Sequence, residues 1–402
     1  LLQKVSHIAT IGSRGNFENV TKENSMLHTT FRLKLFKVSQ IISITACFLF
    51  FIFPAHANDV TQVKQQINPF VKNMESESKA IQGGAVAIIL DNKVIYKKAF
   101  GYTKANGSLI NDDTTFSLAS VSKPIVATGI GALVDKRLLS FDEKLKLNYL
   151  KNSLCLRDFL SHTKGYNVRG DIEIENGCSR QKLLNYLQKQ KPNFQSVPPY
   201  SYSNLMYSLV AEILKTKGYE LQDIVDLINS NSGSNGIVLL PLTSAKNFAR
   251  PHSRDKKELT FPSNYQKNVP AAAGLIASLN GMIEFLQISL GNRPNIISQT
   301  TLDKIYKPVV KASDIFGWKV GIPFDQKRIQ SWYCLGWRAL YLDNNYDSRL
   351  IFHSGYINGA TTFVGFVPSR KLAIVILTNQ SSKFAVSNGL KFWHAVIVNA
   401  KN

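Results

Sequence analysis

The chain has 402 residues, 44% of them hydrophobic, and carries 48 Lys and Arg against 27 Asp and Glu, a formal charge of +21. That apolar content excludes a disordered or fibrous chain, and the length supports a large core arranged in two lobes. The charge invites a nucleic-acid reading, yet the lysines are scattered and neither an aromatic-basic RNA motif nor a zinc spacing occurs, so nucleic acid is not the expected partner.

The first 57 residues read as an upstream segment and a secretory signal. Arg32, Lys34 and Lys37 precede an apolar run over 41–53, then Pro54 and a small-x-small cleavage site, Ala55-His56-Ala57. The run is too short for a comfortable membrane span. Ile44-Thr45-Ala46-Cys47 resembles a lipoprotein box, but the residues after Cys47 stay apolar and no lipid anchor is expected. The reading is an exported, periplasmic protein that starts near Asn58. Losing the six Lys/Arg and two Asp/Glu of residues 1–57 leaves +17, a charge that fits attraction to an anionic envelope surface. Cys155, Cys178 and Cys334 remain, and an oxidising compartment permits a Cys155–Cys178 bridge.

Residues 58–79 predict an amphipathic helix, with Val60, Val63, Ile67, Phe70, Val71 and Met74 at helical spacing. Gly83 and Gly84 end it. Two apolar strands follow, 85–90 and 94–100, joined by Asp91-Asn92-Lys93. A polar loop over 103–114 leads to Phe116-Ser117-Leu118-Ala119-Ser120-Val121-Ser122-Lys123-Pro124 and an apolar run to Val134. A helix brings residues three apart onto one face, so Ser120 and Lys123 can touch. Ser120 would sit at the helix N-terminus, where unpaired N–H groups and the dipole favour developing negative charge. Pro124 is tolerated in a first turn. Ser-x-x-Lys also occurs at Ser76/Lys79, Ser161/Lys164, Ser179/Lys182 and Ser253/Lys256, but none of these lies between a strand-like region and a long apolar helix. The plain structural alternative for Ser120 is a helix N-cap.

From 139 to about 291 the pattern is mainly helical, with helices expected over 154–162, 180–190, 205–217, 221–229 and 282–290. Strands return beyond 295, over 335–342, 349–353, 361–367 and 372–378, and read as a meander with turns at Asp343-Asn344-Asn345, Ile357-Asn358-Gly359 and Pro368-Ser369-Arg370. A closing helix over 388–398 shows Leu390, Trp393, Val396 and Ile397 as its apolar face. The expected class is α+β, with a discontinuous lobe from 58–140 and 295–402, a mainly helical lobe from 141–294, and a site in the cleft between them.

A serine hydroxyl is a poor nucleophile until a base takes its proton. No Gly-x-Ser-x-Gly elbow is present, and Lys123 is the nearest base; a desolvated lysine near other cations can be neutral at pH 7. Two further stretches matter: Pro198-Pro199-Tyr200-Ser201-Tyr202-Ser203-Asn204 before the 205–217 helix, and Phe352-His353-Ser354-Gly355-Tyr356 at a strand end. Through these motifs the chain resembles the penicillin-recognising serine hydrolases, in the branch holding class C β-lactamases and certain D-Ala-D-Ala carboxypeptidases. Ser120-Val121-Ser122-Lys123 looks like Ser-x-x-Lys, Tyr202-Ser203-Asn204 like Tyr-x-Asn, and His353-Ser354-Gly355 like the Lys/His-Thr/Ser-Gly triplet, in the family's order. Supporting similarity runs through Leu156-Arg157-Asp158-Phe159-Leu160-Ser161-His162-Thr163, Ala273-Gly274-Leu275, Leu335-Gly336-Trp337 and Gly365-Phe366-Val367-Pro368, so that about 83–380 is covered.

The resemblance implies a β-lactamase/transpeptidase-like fold, an antiparallel sheet flanked by helices with a mainly helical inserted lobe. It implies that Ser120 attacks an amide or lactam carbonyl, helped by Lys123 and by Tyr202 as phenol or phenolate. Asn204 would donate to the substrate's side-chain amide, and His353, Ser354, Gly355 and Tyr356 would line the substrate. The backbone N–H groups of Ser120 and Tyr356 would form the oxyanion hole. No metal or organic cofactor is implied, and the partner is a small β-lactam or a peptidoglycan-type peptide met by a monomer. Tyr200 rivals Tyr202 in register, but only Tyr202 stands two before an asparagine. His162 is expected to satisfy backbone groups, and Trp337 and Trp393 to be core. Most class C β-lactamases carry lysine where this chain has His353; a histidine of ordinary pKa would bind a substrate carboxylate less well as pH rises. The Tyr356 ring is bulkier than the family's usual small residue and would narrow the cleft. An esterase on the same scaffold and a catalytically silent wall-binding protein are the alternatives.

Overall fold

A computed structural model describes residues 60–398, apart from 164–165, 167, 169, 191–199, 231–235, 240–246, 262, 318–320 and 322. The segment read as an export signal lies outside the described residues. Among the described residues, no helix is long and apolar enough to cross a membrane.

The chain opens with helix α1 (Val60–Ser78), whose Val63, Ile67, Phe70 and Met74 are buried as their spacing requires. Strands β1 (Gly83–Leu90) and β2 (Lys93–Gly101) form the first hairpin, with Asp91 in the left-handed region at its tight turn. Strand β3 (Phe116–Ser117) then leads through a 3₁₀ turn, Ala119–Val121, into helix α2 (Ser122–Asp135). Every α2 residue from Ser122 to Leu133 is buried, as an all-round apolar sequence demands.

The middle of the chain supplies the short strands β4 (Lys144–Leu145), β5 (Leu154–Cys155), β6 (Ile237–Val238) and β7 (Ile276–Ala277). Between and after them come helices α3 (Leu156–Leu160), α4 (Asp171–Glu175), α5 (Arg180–Lys189), α6 (Asn204–Ser208), α7 (Val210–Thr216) and α8 (Leu221–Asn229). Helices α9 (Asn264–Asn268), α10 (Pro270–Ala273), α11 (Leu279–Ser289) and α12 (Gln299–Tyr306) complete this part. Strands β3, β7 and β6 pair as a small sheet, so the turn that bears Ser120 leaves a hydrogen-bonded strand.

The last third is a meander of six strands where the sequence pattern predicted four: β8 (Val310–Lys311), β9 (Ile329–Tyr333), β10 (Arg338–Leu342), β11 (Asn345–Ile357), β12 (Ala360–Val367) and β13 (Leu372–Thr378). The β10–β11 turn places Asp343 and Asn344 at φ 53° and 57°, the twist a two-residue hairpin favours. Helix α13 (Phe384–Val398) closes the chain. The eight-stranded sheet runs β2-β1-β13-β12-β11-β10-β9-β8, entirely antiparallel, and β1 joins the two chain ends through pairs such as Ala85↔Leu377. The fold is thus α+β, an antiparallel sheet flanked by helices.

Both sheet faces are covered, which is why β1 is a continuous apolar run. Its Val86, Ile88 and Leu90 pack with α1 and α13; Ala85, Ala87 and Ile89 face the core that holds α2. Trp337 stacks on Phe285 with ring centroids 5.8 Å apart, and Trp393 donates its indole N–H to the Ser348 carbonyl at 2.7 Å; both are core, as expected. Cys155, Cys178 and Cys334 are free, so the bridge that an oxidising compartment permits is not formed. Cys155 instead points its thiol at Asp158 in the α3 capping box.

Gly336 ties the sheet to α2. Its φ is +71°, and a Cβ there would stand 2.6 Å from the Ala127 Cβ, 2.8 Å from the Tyr207 hydroxyl and 2.9 Å from the Lys123 carbonyl. Left-handed backbone costs an L-residue roughly 1–2 kcal/mol and overpacking roughly 1–3 kcal/mol. Gly336→Ala should therefore lower unfolding free energy by about 2–5 kcal/mol in urea titrations; a change below about 0.5 kcal/mol would contradict this account of the contact.

Candidate active site

The site is built on a strained turn. Ala119 has φ +47°, a left-handed conformation uncommon for a residue with a Cβ. Four hydrogen bonds hold it there. Leu118 donates its N–H to Leu275 O at 3.0 Å, and Thr362 donates its hydroxyl to Leu118 O at 2.8 Å. The Ser122 hydroxyl donates to Ala119 O at 2.7 Å and accepts from the Leu275 N–H at 3.1 Å. This turn lifts Ser120 into a cleft of about 460 Å³.

Lys123, one turn on, is fully buried. Its Nζ lies 3.0 Å from Ser120 Oγ, 2.6 Å from Asn204 Oδ1 and 2.9 Å from Ala272 O. Burial holds its pKa well below the usual lysine range, Asp171 opposes that, and Arg338 adds to it. The neutral amine has two N–H donors and one lone pair. Ala272 O and Asn204 Oδ1 can only accept, so they take both donors and the lone pair is left for the Ser120 hydroxyl. That geometry suits general-base catalysis.

Tyr202 approaches from the other side, its hydroxyl 2.8 Å from Ser120 Oγ. Burial pushes its pKa above the usual tyrosine value, so of the two forms open to it from sequence the phenol is the one present. Ser120 Oγ then accepts from Tyr202 and donates to Lys123. The register rival, Tyr200, points elsewhere: its hydroxyl lies 3.3 Å from Asp314 and 3.0 Å from Arg338. The cap of α6 is Ser203, whose hydroxyl accepts from the Met206 N–H at 3.1 Å. Asn204 has partners inside the protein as well. Its Nδ2 donates one N–H to Asp171 Oδ1 at 2.8 Å and its oxygen serves Lys123. The residue also lines the cleft, where the second N–H of the amide is the one a substrate could meet.

Strand β11 forms the facing wall. Its pairing with β10 ends at Arg338↔Phe352, and His353 to Ile357 pair with β12 alone. Gly355 is needed there because a Cβ would run into Leu118 O and the Thr362 hydroxyl. Ser354, Gly355 and Tyr356 line the cleft, with the Tyr356 side chain 66% exposed at its mouth.

His353 overturns the charge expected of it. Its Nδ1 donates to the Ser354 carbonyl at 2.8 Å, so Nε2 accepts, from the Tyr333 hydroxyl at 3.0 Å. The Tyr333 oxygen in turn accepts from His162 Nε2 at 3.2 Å, and His162 Nδ1 accepts the Ser203 N–H at 3.2 Å. The chain Ser203–His162–Tyr333–His353–Ser354 is complete with both imidazoles neutral. Burial holds both pKa values well below the ordinary histidine value, and Arg338 and Lys123 push the same way. His353 is thus a neutral strut, not a partly charged carboxylate binder. His162 satisfies a backbone group as expected and also lays its ring 4.3 Å from that of Tyr202.

Four participants escaped the sequence reading: Asp171, Asp314, Tyr333 and Arg338. Arg338 donates to both Asp314 oxygens at 2.8 and 2.7 Å and lies 5.7 Å from the Tyr202 ring centre. Its one sequence signal was adjacency to Leu335-Gly336-Trp337. Among the described residues, no group of His, Cys, Asp and Glu could hold a metal ion.

Comparison with known proteins bears on family and fold. A family model described as Beta-lactamase matches residues 64–391. Protein flp of Staphylococcus aureus (strain MW2) is 20% identical over 370 residues, covering 84% of this chain and 67% of its own. Unguisins hydrolase ungD' of Aspergillus campestris (strain IBT 28561) is 22% identical over 338 residues, covering 76% of this chain and 60% of its own. The chain therefore spans some two thirds or less of the length of these relatives. Among solved structures, the octameric penicillin-binding protein homologue from Pyrococcus abyssi has a TM-score of 0.66 at 19% identity over 84% of this chain and 78% of that one. A tyrosine-to-phenylalanine mutant of a class C beta-lactamase has a TM-score of 0.63 at 18% identity, over 85% of this chain and 99% of that one. At such identities these two likenesses show the fold.

The neutral histidines make stability pH-dependent with a definite sign. Their folded pKa values lie below the unfolded value of about 6.5, so the unfolded chain binds protons that the native one refuses. Stability is fully present above about pH 6.5 and is lost as pH falls from there toward the lowered folded values. Urea midpoints should drop between about pH 6.5 and 5, and by less in His353→Asn. Midpoints that hold level across that window would contradict the neutral chain.

Proposed function

The chain belongs to the beta-lactamase family, and from that premise we propose that it is an exported serine hydrolase forming an acyl-enzyme on β-lactam or D-Ala-D-Ala-type amides. One observation carries the reading: Ser120 Oγ lies between a buried, desolvated Lys123 amine and the Tyr202 phenol, at 3.0 and 2.8 Å, inside the cleft.

Ser120 Oγ attacks the carbonyl carbon while its proton passes to the Lys123 lone pair. The carbonyl oxygen takes the charge and is stabilised by the backbone N–H groups of Ser120 and Tyr356. Collapse breaks the bond to the leaving nitrogen or oxygen, which takes the Tyr202 proton, and the Lys123 ammonium restores the phenol. Water then attacks the ester carbonyl, giving a proton to the same Lys123–Tyr202 relay, and as the bond to Ser120 breaks the serine oxygen takes that proton back. A +17 exported chain would be drawn to anionic envelope surfaces where peptidoglycan-type substrates lie.

A second reading, an esterase on the same scaffold, is favoured by the neutrality of His353, which leaves that position on β11 uncharged where a carboxylate-bearing substrate would use a cation. Carboxylate-bearing and neutral substrates should accordingly give superimposable pH profiles of kcat/KM between about pH 5.5 and 8. A selective loss for the carboxylate-bearing one as pH rises would mean that His353 does charge.

Incubation with a labelled penicillin, following adduct and hydrolysis together, distinguishes the activities. A transient adduct with turnover indicates a β-lactamase, a persistent one a peptidase, and ester cleavage without an adduct an esterase. In each case Ser120→Ala should remove the activity. Full activity in that variant, or neither adduct nor cleavage in the wild type, would overturn the acyl-enzyme reading.

A further inference from the structure

We infer that Asp171 is a positioning residue: its carboxylate fixes the direction of the hydrogen bonds that run through Asn204 to Lys123, and so aims the lysine lone pair at Ser120. The inference rests on Ser120 as nucleophile and Lys123 as base.

The two ends of an asparagine amide have nearly the same shape and opposite hydrogen-bonding roles. Lys123 cannot choose between them, since a neutral amine both donates and accepts. Asp171 can, because a carboxylate only accepts. Its Oδ1 stands 2.8 Å from Asn204 Nδ2, which forces the amide oxygen toward Lys123 Nζ at 2.6 Å. Ala272 O, 2.9 Å away, takes the second N–H, and the lone pair falls on Ser120 Oγ at 3.0 Å. With Asn204 turned over, its N–H would donate to Nζ and consume that lone pair. Lys123 would then offer Ser120 only an N–H, and the Tyr202 phenol only its O–H, leaving no base to take the serine proton.

Asp171 reaches this place at the start of α4, after Gly170 at φ +69°, and lines the cleft beside Glu175, which the Tyr265 hydroxyl holds at 2.8 Å. The groups facing Lys123 from the surrounding elements are Arg338 on β10, Tyr202 and Tyr207 around α6, His162 after α3 and His353 on β11. Burial and Arg338 favour the neutral amine; the Asp171 charge favours the ammonium. Removing that charge should therefore lower the pH at which Lys123 becomes a competent base.

The test compares wild type with Asp171→Asn, Asn204→Asp and the double exchange, with Ser120→Ala as control, on nitrocefin and p-nitrophenyl acetate across pH. Asp171→Asn keeps the shape but frees the amide to turn. Its kcat should fall about 10- to 100-fold with KM little changed, and the acid limb of its profile should move to lower pH. Asn204→Asp sets two carboxylates against each other and should also lose kcat. In the exchange, the amide at 171 donates to the carboxylate at 204, which again accepts from Lys123. Most of the lost kcat should return, with the acid limb at higher pH because the negative charge now touches the lysine. Wild-type kcat and an unmoved limb in Asp171→Asn, or an exchange no better than the single variants, would overturn the inference. If Asp171→Asn does not fold, the exchange against Asn204→Asp decides the same question. A wild type silent on both substrates, or an active Ser120→Ala, would sink the nucleophile reading itself, an outcome distinct from a failure of Asp171 alone.

Discussion

An amine with no access to water is the constraint on which the rest of the site depends. Keeping an isolated ammonium in such a place costs several kcal/mol even after the protein relaxes, whereas a neutral amine needs only partners for its two N–H groups. Lys123 has those partners in Asn204 and Ala272, and its burial follows from a helix that is apolar all round. The helix must enter the core at full depth within one turn of the cleft. The left-handed Ala119 makes that entry possible, and its strain is held by Ser122 and Thr362, residues that touch no reacting atom.

A second network, Ser203 through His162 and Tyr333 to His353 and Ser354, connects the turn bearing Tyr202 with the strand that faces Ser120. Each donor in it meets an acceptor. Buried polar chains of this kind are costly when one member is unpaired and rigidifying when all are paired. Its consequence for chemistry is positional, since the His162 ring packs against Tyr202 while the same imidazole anchors Ser203.

The outline of the fold was legible because the central strands β1, β12 and β13 are apolar runs bounded by turn residues. The hairpin turn at Asp343-Asn344 and the buried run of β1 read correctly from local pattern. Strand β9 did not, because its residues alternate buried and exposed over only five positions, among polar neighbours. The region around Ser120 was legible for a different reason: three short motifs resemble those of a known family in kind and order, and the structure brings Ser120, Lys123, Tyr202 and Asn204 together. What pattern could not supply was the protonation of His353, which depends on burial and on Arg338 and Lys123, both distant in sequence. Asp171 and Asp314 were equally silent, since a lone acidic residue in a polar stretch reads as solvated surface until the fold places it.

Those two carboxylates explain how so much basic chemistry coexists in one buried place. Arg338, Lys123, His162 and His353 all interact, so a proton on any one opposes protons on the others. Arg338 keeps its charge because Asp314 pairs with it through two hydrogen bonds. Neither histidine has a carboxylate among its described hydrogen-bond partners, and both are neutral. Lys123 lies between these cases: Asp171 acts on it through Asn204 rather than by contact, so it is neither locked as an ammonium nor wholly deprived of a counter-charge. On the proposed mechanism, a base that must accept a proton and later return it needs that intermediate footing, and distance from the carboxylate, set by one interposed amide, provides it.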